Sequence, residues 1–244
     1  MSTTETTTAE TVAEITPEEC TARAGFYRLI AGAFVEEPTR AYLEALRSEA
    51  SLGALAELGV AFDADVRDTP IERLEHDLAC EYTAMFASSG GFPPVESVRR
   101  QGGFQQQAHT EICEVYRRNG FTVVPARFHV FEDNLGTELQ FAAALLDRMG
   151  AALTAGDGAA ARAAEKELKR FWALHLGLWV RGYASLVAKA SEHSFYREMA
   201  RLLRAFAESE LETLGVNVLD EDGGRYKAPK PEMPAGGTCG SAWS

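Results

Sequence analysis

FHVFEDNLGTELQF, residues 128–141, decides how the chain is read. A non-helical approach from Pro125 runs into the polar cluster Glu132-Asp133-Asn134, and an apolar helical pattern starts at once, with Leu135, Leu139, Ala142, Leu145, Leu146 and Met149 at helical spacing. Short side chains such as Asp and Asn accept hydrogen bonds from the free N–H groups of a first helical turn. Acidic groups there also suit the positive end of the helix dipole. The stretch is therefore a polar, partly negative knuckle at the start of a core helix. Local pattern alone makes it a well-capped core helix.

Working outward, every other long periodic segment is also helical. Thr16-Pro17-Glu18-Glu19 is a capping box with Pro at the first helical position. The helix it opens carries Cys20, Tyr27, Ile30 and Phe34 on one face and stops at Pro38. Shorter helices are expected over 39–49 and 51–58, the second weakened by Gly53. Thr69-Pro70-Ile71-Glu72 repeats the capping signature, and the helix after it carries Leu74, Leu78, Tyr82, Met85 and Phe86. SSGGFPPVES, residues 88–97, cannot continue a helix and is expected to be a long loop of the kind that often carries function.

The spacing next predicts a helix over 105–119, with Gly120 in the left-handed position past its end. FTVVPARFHVF (121–131) is rich in β-branched and aromatic residues, but a lone strand has no partner, so it is expected as extended chain against the core. The helix beginning at the knuckle runs to about Met149, a small-residue link follows, and a helix is expected over 157–173. Gly177 marks a bend or a continuous helix. Ser194 is expected to cap the last helix. The expected class is all-α: a single-domain bundle of about eight to ten helices over 16–214, with a disordered lead at 1–15 and a flexible tail at 215–244.

Composition excludes several function classes. Among 244 residues, 36 are acidic and 24 basic, a net charge of −12, which disfavours nucleic acid or an anionic membrane as the main partner. No apolar run is long enough to span a membrane. The start, MSTTETTTAETVAEIT, lacks the basic and apolar regions of a signal peptide, so a cytoplasmic protein is expected. Cys20, Cys80, Cys113 and Cys239 form no CxxC pair, as expected of reduced thiols.

Enzyme signatures are equally thin. No His follows a Glu by three residues, so the di-iron bundle pattern is missing, and HExxH, Walker A and GxSxG are absent. GDGAAA (156–161) matches a dinucleotide fingerprint on paper but follows a helix rather than a strand. An all-α nucleotide-binding or nucleotide-hydrolysing enzyme is the alternative carried beside the reading below. The pair Arg99-Arg100 lies mid-chain without an apolar stretch after it; it reads as surface charge with an ion pair to a nearby acid. His175 and Trp179 share a face if their helix is continuous, either as core packing or as support for the wall of a binding groove.

Five stretches in order resemble one family, the TorD/DmsD redox-enzyme maturation chaperones, related to the NarJ chaperones of nitrate reductase. They are LACEYTAMF with GGFPPVESVRR, VYRRNGF, VFEDNLGTELQF, FWALHLGLWV and SFYREMARLLRAF, and the similarity as a whole covers about residues 20 to 212. The central motif departs from the family pattern: Val130-Phe131 replaces Glu-Pro, and Asn134 replaces His, while Asp133, Gly136 and Glu138 match. Asn keeps a hydrogen-bonding amide but cannot become cationic at about pH 6–7 as His can.

The resemblance implies a cytosolic, non-catalytic chaperone without a cofactor of its own, monomeric or dimeric. Such a chaperone binds the twin-arginine signal peptide, the apoenzyme body, or both, of a molybdopterin oxidoreductase until the molybdenum cofactor is loaded. A twin-arginine peptide offers two guanidiniums and an apolar stretch, which call for carboxylates beside a greasy groove. The expected client-binding residues are Tyr82, Phe86, Pro94, Glu96, Ser97, Glu132, Asp133, Asn134, Glu138, His175 and Trp179.

Overall fold

The computed structural model describes residues 15–124 and 130–224; Phe128 and His129 of the opening stretch lie outside them. Among the described residues there are eleven α-helices and no strand. They are α1 Pro17–Phe34, α2 Arg40–Leu46, α3 Glu49–Glu57, α4 Ala64–Arg67, α5 Ile71–Tyr82, α6 Glu96–Gln101, α7 Gln107–Asn119, α8 Leu135–Thr154, α9 Gly158–Leu174, α10 Val180–Ala190 and α11 Ser194–Leu214. The all-α expectation holds. The count exceeds eight to ten because α4 and α6 are too short to register as a periodic pattern.

The capping box at Thr16 forms in full: Glu19 N–H donates to Thr16 Oγ1 at 3.1 Å, and Thr16 N–H donates to Glu19 Oε2 at 2.7 Å. Gly120 adopts the left-handed conformation (φ 61°) at the end of α7. Other boundaries move. Pro70, not Thr69, is the N-cap of α5, and the chain continues past Tyr82 as a π turn, Thr83–Ala87. Helix α8 runs to Thr154, so the link to α9 is only Ala155-Gly156-Asp157, with Asp157 capping α9 through Ala159 and Ala160 N–H. GDGAAA is thus a helix–helix turn, and no strand precedes it to aim a loop at a pyrophosphate. Ser194 is the first residue of α11 rather than its cap; its hydroxyl instead accepts from Asp63 N–H at 3.0 Å.

Helix α8 packs between α1 and α9, and α10 packs against α11. Gly136 lets α8 approach the end of α1: a Cβ there would lie 2.4 Å from Val35 Cβ and 2.5 Å from Val35 Cα. Between α9 and α10 the backbone breaks at His175 and re-forms as a 3₁₀ turn, Leu176–Leu178. A Cβ on Gly177 would meet Trp172 O at 2.5 Å, so the break at this glycine leaves no room for a side chain.

The core is stitched by a polar network as well as by apolar packing. Buried Trp172 Nε1 donates to Tyr27 Oη at 2.6 Å, Tyr27 Oη donates to Glu210 Oε2 at 2.7 Å, and Arg23 forks onto Glu210 at 3.0 and 2.7 Å. This satisfied chain joins α1, α9 and α11 where unpaired polar groups would be costly.

Residues 215–224, read from sequence as the start of a tail, are laid across the α9–α10 break. Glu221 N–H donates to Leu178 O at 2.5 Å, Gly182 N–H donates to Asp220 Oδ2 at 2.9 Å, and Arg181 Nη2 donates to Val218 O at 2.8 Å. Asp222 is buried and pairs with Arg99 at 2.5 and 2.9 Å, both side chains fully shielded from solvent. The surface reading of the twin arginine therefore fails for Arg99. Arg100 has an ion pair of the expected kind, with Glu221 at 2.7 Å, and a second with Glu96 at 2.5 Å.

Candidate functional site

The knuckle and the 88–97 loop are tied by backbone. Val95 and Asn134 form an isolated antiparallel bridge, with Glu96 N–H donating to Asp133 O at 2.9 Å and Leu135 N–H donating to Pro94 O at 2.8 Å. Asn134 caps α8, its Oδ1 accepting from Gly136 N–H at 2.8 Å. Asp133 Oδ2 accepts from Ser97 N–H at 2.9 Å, in the first turn of α6.

Asp133 is fully buried, so its carboxylate faces α6 rather than an incoming peptide. Burial pushes its pKa up, with the Ser97 hydrogen bonds opposing the rise. Glu138 is also fully buried, and neither of its oxygens has a hydrogen-bond partner among the described residues. Burial first, then the Glu96 and Asp133 carboxylates, hold Glu138 well above the usual carboxylate range; the nearby Trp179 side chain and Arg100 oppose the shift. Glu96 is buried and bridges Arg100 and His175 Nδ1, the latter at 3.0 Å. Trp179 is fully buried, and the broken helix separates it from His175. The arrangement can hold protons and fix loops; it offers no open carboxylate.

The open surface lies to one side. A cavity of about 470 Å³ is bounded by Val35, Glu36 and Glu37 past α1, by Tyr82, Thr83, Phe86 and Ala87 of α5 and the π turn, and by Pro93, Pro94 and Val95 of the loop. Phe104, Val130, Phe131 and Asn134 close it. Phe104 and Phe131 stack with centroids 5.0 Å apart, and Tyr82 meets Phe86 edge-on at 5.0 Å. Glu36 Oε2 is shielded from solvent and has no hydrogen-bond partner among the described residues.

The expected residues thus divide. Tyr82, Phe86, Pro94 and Asn134 line this groove. His175 faces a second, more polar cavity of about 640 Å³ between α6, α7 and α9, whose walls include Arg100, Arg118, Arg170, Glu111 and Glu167. Glu96, Ser97, Asp133, Glu138 and Trp179 are buried behind. Glu132 turns away and pairs with His109 Nε2 at 2.8 Å.

The sequence model of the nitrate reductase delta subunit family matches residues 36–185, more than half of the chain. The chain belongs to this family. It is a family of redox-enzyme maturation chaperones, as the ordered motifs led one to expect. No curated protein matches. Among solved structures, one assigned as a redox enzyme maturation protein from Archaeoglobus fulgidus is 19% identical, with a TM-score of 0.43, over 82% of this chain and 99% of that one. The delta-subunit match takes in every wall of the 470 Å³ groove except Val35. Sequence reasoning missed Glu36 and Glu37 in this family member: they sit between a helix end and Pro38, where no periodicity marks them, and only their adjacency was a signal.

Proposed function

We propose that this chain is a cytosolic maturation chaperone that takes the twin-arginine signal peptide of a molybdopterin oxidoreductase into the groove between α1, the π turn and the knuckle. One observation carries the reading: an apolar, aromatic groove has two adjacent carboxylates, Glu36 and Glu37, in its wall, and one Glu36 oxygen is without a partner among the described residues. A guanidinium satisfies such an oxygen with a charge-assisted bond, and the apolar stretch of the peptide lies on Tyr82, Pro94 and Phe131. The chain's net charge of −12 favours approach of a cationic segment. Kinship to nitrate reductase delta subunits supports a molybdopterin oxidoreductase as the class of client.

The test is fluorescence anisotropy with a labelled synthetic twin-arginine peptide and the full chain. Affinity is expected to fall with salt, and the Glu36→Gln/Glu37→Gln double variant is expected to weaken binding by about tenfold or more, the worth of one charge-assisted hydrogen bond. Equal affinity in that variant, with unchanged helicity, would overturn the assignment of the groove.

A further inference from the structure

We propose that His109, Cys113 and Glu132 form a zinc-binding site that clips α7 to the knuckle. His109 and Cys113 are four residues apart on α7 and therefore stand on one face, one turn above the other. Glu132 reaches them from the knuckle. One ligand atom from each lies within 4.8 Å of the others, the one such trio among the described residues. His109 Nε2 is 2.8 Å from Glu132 Oε2 and 3.8 Å from Cys113 Sγ.

Tetrahedral zinc with ordinary Zn–N, Zn–S and Zn–O lengths places its ligand atoms about 3.3–3.6 Å apart, so these two edges need adjust by only about half an ångström. The donor set is one imidazole, one thiolate and one carboxylate. Mixed N/S/O donors suit zinc, whereas magnesium and calcium prefer oxygen alone. All three side chains are partly accessible, which gives an ion a route in.

Three protein ligands leave a fourth coordination position for water or for a donor from a bound partner. Phe131, next to Glu132, lines the groove and meets the His109 ring edge-on at 6.5 Å. Zinc at this point fixes one rim of the groove, and it does so whether or not the groove takes a signal peptide.

A second pair controls for non-specific binding. His76 and Cys80 on α5 have the same spacing, with Cys80 Sγ 3.7 Å from His76 Nε2, but among the described residues no third ligand atom completes a trio there. The experiment is titration of the reduced full chain with Zn²⁺ against a competing chromophoric chelator, with Co²⁺ absorption as the second readout. One equivalent of Zn²⁺ is expected, with a thiolate-to-cobalt charge-transfer band and a higher melting temperature. Cys113→Ser is expected to weaken zinc by more than about 100-fold, beyond the loss typical of a second-shell partner, while Cys80→Ser leaves it unchanged. Should Cys113→Ser not fold, Glu132→Gln on the more exposed ligand is expected to weaken zinc in a folded protein. Absence of one-equivalent binding, or binding that survives Cys113→Ser or a folded Glu132→Gln, would overturn the site.

Discussion

Replacing Asp222 by Ala is the sharpest test of how the last described segment is held. The Arg99–Asp222 pair has both side chains fully shielded, two hydrogen bonds at 2.5 and 2.9 Å, and the Arg99 guanidinium 5.4 Å from the Tyr183 ring centroid. In Asp222→Ala the guanidinium stays buried and loses this counter-ion. Removing one member of a buried pair costs about 3–5 kcal/mol, because desolvation is no longer offset. For a chain of this size each kcal/mol moves the melting temperature by about 2–4 °C, so the expected drop is roughly 6–20 °C. Thermal melts followed by far-UV circular dichroism measure it. The double variant Arg99→Met/Asp222→Leu is expected to recover most of the loss, since an apolar pair of similar volume carries no desolvation cost. A single variant melting with the parent would refute the reasoning, as would a double variant no better than the single.

Three further outcomes follow from other residues. Glu138 has a raised folded pKa, so the stability it contributes as a neutral acid is complete below its unfolded value of about 4.3 and is lost as pH rises toward the folded one; Glu138→Gln is expected to flatten that decline, and an unchanged profile of melting temperature against pH would count against it. Gly136→Ala puts a Cβ 2.4 Å from Val35 Cβ and against its backbone, so at least about 1–3 kcal/mol of stability should be lost in denaturant melts, and a neutral result would mean α1 and α8 are further apart than described. Asp133→Ala is expected to destabilise the fold by about 1–3 kcal/mol, because Ser97 N–H loses its buried acceptor; a variant that melts normally yet fails to bind peptide would instead make Asp133 a direct contact.

The elements that sequence disclosed are those whose cause is local. Thr16, Pro17 and Glu19 fix a helix start within four residues, and Gly120 fixes a helix end by its freedom at positive φ. The family was legible for the same reason, since its motifs are short and ordered. What stayed hidden depends on distant partners. Asp133 at a helix start looked like an open anion, but its exposure is set by α6, whose six residues carry no periodic pattern. The stretch after Gly215 looked like tail because it is polar, yet its polarity is met by Arg99, Arg100 and Arg181, more than thirty residues away in each case. Glu36 and Glu37 became part of a groove only when the π turn and the loop closed over them.

The embrace of Arg99-Arg100 by Glu221 and Asp222 has a consequence in time. The arginines and their partners are separated by 123 residues for Arg99 and Asp222, and by 121 for Arg100 and Glu221. Ribosomes add about 5–20 residues per second, so roughly 6–25 s pass between synthesis of the cations and synthesis of their anions. During that interval the nascent chain carries an adjacent arginine pair still awaiting these acids. Closure over the α9–α10 break must wait until Glu221 and Asp222 have been made, and a chain released before them would carry that arginine pair without these acids.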